Sequence, residues 1–127
     1  MTKKIILTDK APKPVGPYSQ AITAGGWIYL SGQIPIDPKT NELALGPIEE
    51  QTRLVLSNAQ HVLEAAGASL KDVIKVGIFI ANMDDFSKIN AVYSEFFPSE
   101  PPARSTVQVA RLPKDVGIEV ELVAYKG

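Results

Sequence analysis

The chain has 127 residues, no cysteine, and 13 basic against 14 acidic side chains, which leaves a formal net charge of -1. This length suits one core, so residues 1–127 are predicted to form a single domain. The composition excludes disulfides, thiolate metal sites and a cysteine nucleophile, and the balanced charge gives no electrostatic argument for a nucleic-acid partner. Only three consecutive apolar residues occur near the N-terminus, too few for a signal peptide or a membrane span, so we expect a soluble, cytoplasmic protein.

The first elements in chain order read as a β-hairpin. Residues 19–24 and 27–33 have the composition of strands, and the pair Gly25-Gly26 between them is typical of a tight turn. Residues 5–7 could form a further short strand before the hairpin. The run DPKTNE after the hairpin is interpreted as an exposed turn.

A helix is predicted next. Pro47 stands at the first helical position, Glu49 and Glu50 follow in the first turn, and Gly67 ends the pattern. Between these limits the apolar residues recur at helical spacing, namely Ile48, Val55, Ala59, Val62 and Ala66.

The second half predicts one more helix between strands. Residues 73–80 read as a buried strand, and Asp84 is predicted to cap a helix that Pro98 ends. Further strands are expected near 103–109 and 118–124. The apolar stripe of this second helix is Phe86, Ile89, Tyr93, Phe96 and Phe97.

These elements predict an α+β domain, a single mixed sheet with two helices on one face. Nothing remains to cover the other face. Because strand side chains alternate, Glu119 and Glu121 of the last strand should share that uncovered face with Val123 and Tyr125. Charge mixed with apolar groups is typical of a protein interface with a polar pocket, so a homo-oligomer is predicted.

Arg104 and Glu119 are the strongest candidates for chemistry. An arginine fork binds a carboxylate through two charge-assisted hydrogen bonds, and a nearby glutamate can orient or deprotonate water. Together they could bind a small acid and hydrolyse it. The alternative is a cross-strand salt bridge of no catalytic significance.

Other candidates are less specific. Tyr18 follows a Gly-Pro turn just before the hairpin, and Ser31 lies in its second strand beside Gly32, which would let the backbone approach a ligand. A serine without a base is not a nucleophile. The single histidine, His61, reads as a surface residue, so neither a serine triad nor a metal site is supported. Asn90 lies close to the apolar stripe of the second helix and needs a polar partner, either a neighbouring loop or a ligand.

Four segments of the chain resemble the Rid family of reactive-intermediate deaminases, in its RidA (YjgF-type) branch. They are GPYSQA, YLSGQIPIDPKT, INAVYSEFF and PARSTVQVARLPKDVGIEVELVA. The resemblance runs nearly end to end, and the signatures around Arg104 and Glu119 are its most specific part.

The resemblance implies a chorismate-mutase-like fold and a homotrimer with sites in the clefts between subunits. It implies hydrolysis of small 2-imino and 2-enamino acids, such as 2-iminobutanoate and 2-aminoacrylate, to 2-oxo acids and ammonia. Dehydratases that depend on pyridoxal phosphate release these reactive intermediates. The family's reaction uses no cofactor.

The resemblance also assigns roles to residues of this chain. Arg104 would hold the substrate carboxylate, and Glu119 would orient the attacking water from a neighbouring strand. Tyr18 and Ser31 match the family's site tyrosine and serine, and would shape the pocket near the imine.

Four further positions complete this expectation. Asn90 would support the site from the second helix, and Gly32 and the backbone of Thr106 would lie close to the ligand. Many relatives have cysteine where this chain has Thr106, so no thiol can act here. Glu121 lacks a match among the family's site residues and is assigned to an interface or a salt bridge.

A second class of function stays open at this point. Members of the family are also described as ligand-binding regulators, ribonucleases or chaperone-like proteins. The chain could therefore be a trimeric small-molecule-binding module without significant turnover. The retained Arg104 and Glu119 favour the enzyme.

Overall fold

A six-stranded mixed sheet with two α-helices on one face forms the fold in the computed structural model, which describes residues 2–127. The helices are α1 (Ile48–Ala65) and α2 (Phe86–Phe96). Short 3-10 turns lie at Leu70–Asp72, Met83–Asp85 and Pro113–Asp115. The strands are β1 (Lys4–Ile6), β2 (Ala21–Ala24), β3 (Trp27–Gln33), β4 (Ile36–Asp37), β5 (Glu42–Leu43), β6 (Val73–Ile80), β7 (Ala103–Gln108) and β8 (Ile118–Tyr125).

The strand order in the main sheet is β1-β2-β3-β8-β6-β7. Only β6 and β7 run parallel, because α2 connects them as a crossover, and every other pair is antiparallel. The predicted α+β class with one main mixed sheet and two helices is confirmed. The small hairpin of β4 and β5 was not predicted, since two-residue strands are too short to show an alternating pattern.

Helix α1 ends as its sequence predicts. Gly67 has a φ of +81°, and the amide of Ala68 donates to the carbonyl of Leu63 at 2.9 Å. Glycine adopts this left-handed conformation without a steric cost, so it closes the last turn and reverses the chain.

The start of α2 differs from the prediction that Asp84 caps it. A 3-10 turn precedes the helix, and the side chain of Asn82 accepts a hydrogen bond from the amide of Asp84 at 2.9 Å. Asp85 stands at the N-cap of α2 without a side-chain capping bond. The cap prediction is therefore wrong, because the first free amides belong to the 3-10 turn and Asn82 reaches them.

The core lies between the helices and one face of the sheet. Alternate residues of β8 enter it, as the sequence predicts, and each is at most 2% exposed: Ile118, Val120, Leu122 and Ala124. They pack with buried residues of α1 that include Val55, Leu56, Ala59, Val62 and Leu63. Within residues 2–127, neither helix is long and apolar enough to cross a membrane.

The opposite face of the sheet, called the uncovered face here, carries exposed apolar side chains. Trp27, Tyr29, Val107 and Tyr125 all belong to it and are each more than two-fifths exposed. Trp27 and Tyr125 pack edge to face with ring centroids 4.9 Å apart. A concentration of exposed aromatic and aliphatic groups on one face is typical of a surface that contacts another protein.

Candidate active site

Arg104 lies on β7 at the edge of the sheet and points toward the helix layer. It pairs with Val76 of β6, which is fully buried under the helices, so both side chains project to the same face. Its Nη1 donates to Oδ1 of Asn90 on α2 at 2.8 Å. Asn90 therefore finds its polar partner in the candidate arginine rather than in a loop.

Two aromatic rings of α2 complete the surroundings of this guanidinium. The Cζ atom of Arg104 lies 4.7 Å from the ring centroid of Tyr93 and 5.6 Å from that of Phe86. Both distances are within the range of cation–π attraction. Arg104 makes no salt bridge within residues 2–127. We call Phe86, Asn90, Tyr93 and Arg104 the arginine cluster.

Glu119 lies on the other side of the sheet. It pairs with Phe79 of β6, and both side chains project to the uncovered face. Together with Gly32, Glu121 and other residues they line a recess of about 330 Å³. Burial raises the pKa of the Glu119 carboxyl above its ordinary value, and the neighbouring charge of Glu121 raises this pKa further.

A bulge in β3 brings the backbone under Glu119. The register between β3 and β8 shifts between Leu30 and Gln33, so Ser31 and Gly32 occupy the irregular stretch. A Cβ atom at Gly32 would collide with the carboxyl group of Glu119. Any side chain at this position would have to displace the Glu119 carboxyl group, so glycine permits this close approach of backbone and carboxylate. The approach of Gly32 to a ligand, which the sequence suggested, stays a prediction.

The remaining predicted residues are distributed around these two groups. Ser31 donates its hydroxyl hydrogen bond to the carbonyl of Ser19, so it ties the bulge to the start of the hairpin. Tyr18 lies in the loop before β2 and is 51% exposed. Thr106 shares the face of Arg104 on β7, and its buried hydroxyl has no hydrogen-bond partner among residues 2–127.

The structure corrects the expected relation between Arg104 and Glu119. They were predicted on neighbouring strands, but β6 lies between β7 and β8. Their side chains also point to opposite faces of the sheet. The alternative of a cross-strand salt bridge between them is wrong for the same reason. Glu121 makes no salt bridge in the described part of the chain, so its assignment to an interface with another chain stays a prediction.

Sequence reasoning missed the two aromatic members of the arginine cluster as site residues. Phe86 and Tyr93 were placed only in the apolar stripe of α2. The available signal was their spacing, since Phe86, Asn90 and Tyr93 are separated by four and three residues and share one helix face. Among residues 2–127, no three His, Asp or Glu side chains converge as a metal site.

Comparison with known proteins places this chain in a family. The family model described as Endoribonuclease L-PSP matches residues 8–126. A RutC family protein of Pyrococcus horikoshii is 58% identical over 124 residues, covering 98% of each chain. A protein of Dermatophagoides farinae named 2-iminobutanoate/2-iminopropanoate deaminase is 51% identical, covering 95% of this chain and 94% of its own.

A solved structure agrees with both findings. The crystal structure of TdcF from E. coli with bound serine matches with a TM-score of 0.94 and 45% identity, covering 98% of this chain and 99% of that chain. The resemblance drawn from the four sequence segments is thus confirmed. The chain belongs to the endoribonuclease L-PSP family, which includes the Rid (YjgF-type) proteins.

Proposed function

We propose that this protein is an imine and enamine deaminase that hydrolyses small 2-imino acids to 2-oxo acids and ammonia. The observation that carries the proposal is Arg104, a guanidinium held in place by α2 with no carboxylate partner within residues 2–127. A substrate carboxylate is the natural partner for the N–H donors that Asn90 leaves free. The relative named 2-iminobutanoate/2-iminopropanoate deaminase supports the same reaction.

Glu119 supplies the proton-transfer group of this proposal. As a carboxylate it takes a proton from the water whose oxygen adds to the C=N carbon, and as an acid it passes this proton to the nitrogen. It then moves the proton of the new hydroxyl group to the same nitrogen, so that the C=O bond forms as the C–N bond breaks. Water is consumed, the C–N bond breaks, and the 2-oxo acid and ammonia leave. The raised pKa of Glu119 suits both roles, because a group that titrates closer to the working pH exchanges protons more readily.

The opposite orientation of Arg104 and Glu119 makes a second chain part of the proposal. One substrate molecule cannot reach both side chains through the sheet of a single protomer. A homotrimer in which the uncovered face of one chain meets the β7 edge of the next would bring them together. The exposed apolar side chains of the uncovered face support such an interface.

Two other classes of activity have less support. Acid–base catalysis most often uses a histidine, but the single histidine, His61, lies on α1 and its Nδ1 donates to the carbonyl of Lys10 at 2.9 Å. The net charge of -1 also gives no attraction for a polyanion. A binding module without turnover would not require a half-buried glutamate with a raised pKa.

The test is ammonia release from 2-iminobutanoate generated in situ by an amino-acid oxidase or dehydratase. We expect the wild-type protein to accelerate release above the spontaneous rate. Arg104→Ala should lose affinity for the product 2-oxobutanoate by roughly 10-fold to 100-fold or more, because charge-assisted hydrogen bonds contribute about 1.5–3 kcal/mol each. Unaltered ammonia release with and without the wild-type protein would overturn the proposal.

A further inference from the structure

The arginine cluster holds a positive charge with neutral groups only. Nη1 of Arg104 donates to the amide oxygen of Asn90, and the guanidinium lies beside the rings of Tyr93 and Phe86. These three side chains come from one face of α2. No carboxylate within residues 2–127 forms a salt bridge with the guanidinium. Arg104 therefore keeps its full charge while its position is restricted.

The identity of residue 90 decides whether that charge is available. The asparagine oxygen accepts one hydrogen bond and carries no net charge, so the other N–H donors remain free. An aspartate of the same shape would form an ion pair with Arg104. An ion pair would neutralise the guanidinium and compete with any incoming carboxylate.

Tyr93 acts through its ring. The side chain is 6% exposed, and its hydroxyl has no hydrogen-bond partner among residues 2–127. Burial raises the pKa of the Tyr93 phenol, although the charge of Arg104 opposes this effect, so the phenol stays neutral and is not a counterion. What Tyr93 offers Arg104 is the negative face of an aromatic ring at 4.7 Å.

We propose that Asn90 and Tyr93 are positioning residues that hold the Arg104 guanidinium as an uncompensated cation, with its remaining donors directed to a monocarboxylate ligand. This inference rests on the proposed function, in which Arg104 receives the substrate carboxylate. It assigns Asn90 to Arg104 rather than to the substrate. It also gives a binding role to Tyr93, which the sequence placed only in the core.

The first test replaces the side-chain amide of Asn90 by a carboxylate. Asn90→Asp preserves shape and adds a negative charge, and calorimetry with 2-oxobutanoate should show affinity weaker by roughly 10-fold or more, because the ion pair competes with the ligand. KM for the imine should rise by a similar factor, with a smaller change in kcat. Asn82→Asp is the matched control, since Asn82 accepts only from an exposed amide. It should bind as the wild type does.

The second test separates the ring of Tyr93 from its hydroxyl. Tyr93→Leu should weaken 2-oxobutanoate binding by roughly 3-fold to 30-fold, which corresponds to a partly buried cation–π contact. Tyr93→Phe keeps the ring and should retain most of the affinity. A purely structural role would predict losses that follow the melting temperatures of the variants instead.

The outcomes distinguish the two proposals. If the wild-type protein accelerates ammonia release and binds 2-oxobutanoate, and Asn90→Asp binds it equally well, the positioning role is wrong and the proposed function stands. If the wild type neither accelerates ammonia release nor binds 2-oxobutanoate, the proposed function fails, and the side-chain ¹⁵N resonances of Arg104 test the cluster without ligand. Loss of restricted guanidinium rotation in Tyr93→Leu would then support the cluster. Unchanged resonances in both Tyr93→Leu and Asn90→Asp would overturn it.

Discussion

At the scale of single residues, Glu119 is a glutamate whose surroundings make ionisation less favourable than it is in water. It has no hydrogen-bond or salt-bridge partner for its carboxyl group within residues 2–127, and it shares one strand face with Glu121. Two cations that line the recesses beside Glu119 and Glu121 have other hydrogen-bond partners. Arg111 pairs with Asp115 at 2.7 Å, and Lys75 donates to Ser105 at 3.1 Å.

Replacing this carboxyl should separate binding from turnover. In Glu119→Gln we expect 2-oxobutanoate affinity to stay close to that of the wild type, because Arg104 is intact. Imine hydrolysis should fall by about 10²–10⁴, the usual effect of removing a general acid–base group. Parallel calorimetry and ammonia assays measure the two quantities. Full hydrolysis in this variant would remove Glu119 from the mechanism.

The charge of Glu121 should be visible in the titration of Glu119. Because a like charge raises the pKa, Glu121→Gln should move the Glu119 titration to lower pH, and the acid limb of the rate profile should follow it. Carboxyl ¹³C resonances measure the titration directly. Glu64→Gln on α1 makes the same change in net charge away from the recess, and it should leave the Glu119 titration in place. Equal shifts in both variants would contradict a local effect of Glu121.

The same pKa has a consequence for stability. Folded Glu119 holds its proton more tightly than the unfolded chain does, so protonation favours the folded state. This contribution is fully present below the unfolded pKa and is lost as the pH rises through the folded pKa. We measure the free energy of unfolding in urea at several pH values. It should fall less on raising the pH in Glu119→Gln than in the wild type. An identical pH dependence would contradict the raised pKa.

At the scale of elements, the bulge in β3 is the feature that accommodates the glutamate. It places Gly32 directly under the carboxyl group, where any side chain would displace it. The parallel pairing of β6 and β7 positions Arg104, because the crossover helix α2 then lies beside β7 and its side chains contact the guanidinium. Glu119 thus depends on the bulge in β3, and Arg104 depends on the parallel pair of β6 and β7.

A single methyl group added at Gly32 in the bulge should disturb the position of Glu119. Gly32→Ala should move the Glu119 carboxyl and lower imine hydrolysis by at least about 10-fold, since small displacements of a catalytic group are costly. Gly67→Ala is the contrasting variant, because its new Cβ meets no atom within 4 Å but the backbone is left-handed. It should lose about 1–2 kcal/mol of unfolding free energy and keep its activity. Comparable activity losses in the two variants would show that general destabilisation is responsible.

At the scale of the whole molecule, the sheet separates the two halves of the candidate site. A single protomer presents the arginine cluster under α2 and Glu119 on the uncovered face. Only an assembly in which two copies meet can combine them. The exposed Trp27, Tyr29, Val107 and Tyr125 make the uncovered face the expected contact surface.

We expect sedimentation velocity to give a homotrimer, and mixed assemblies to regain activity. Arg104→Ala and Glu119→Gln should each lose most of the activity when assayed alone at a substrate concentration below the wild-type KM. Refolded together in equal amounts, they should recover roughly a quarter of wild-type activity, because random assembly joins an intact arginine to an intact glutamate of the next chain in about one pair in four. A stable monomer, or mixed trimers with no recovery, would contradict a site shared between chains.

Several local features of this protein follow from its sequence alone. Gly67 ends α1 because only glycine takes the left-handed conformation freely, and the alternation in β8 separates Ile118 and Val120 from Glu119 because the side-chain period of a strand is two residues. Arg104 and Glu119 could be selected as candidates by residue type and by family resemblance. These inferences depend on near neighbours in the chain.

Only the tertiary structure decided how Arg104 and Glu119 are related in space. Strand order is a non-local property, so no pattern in 103–125 reveals that β6 is inserted between β7 and β8 or that the two side chains face opposite ways. The contacts of Arg104 with Asn90 and Tyr93 likewise arise because the crossover packs α2 beside β7. Sequence spacing places those residues on one helix face, but the partner of that face is set by the packing of the sheet.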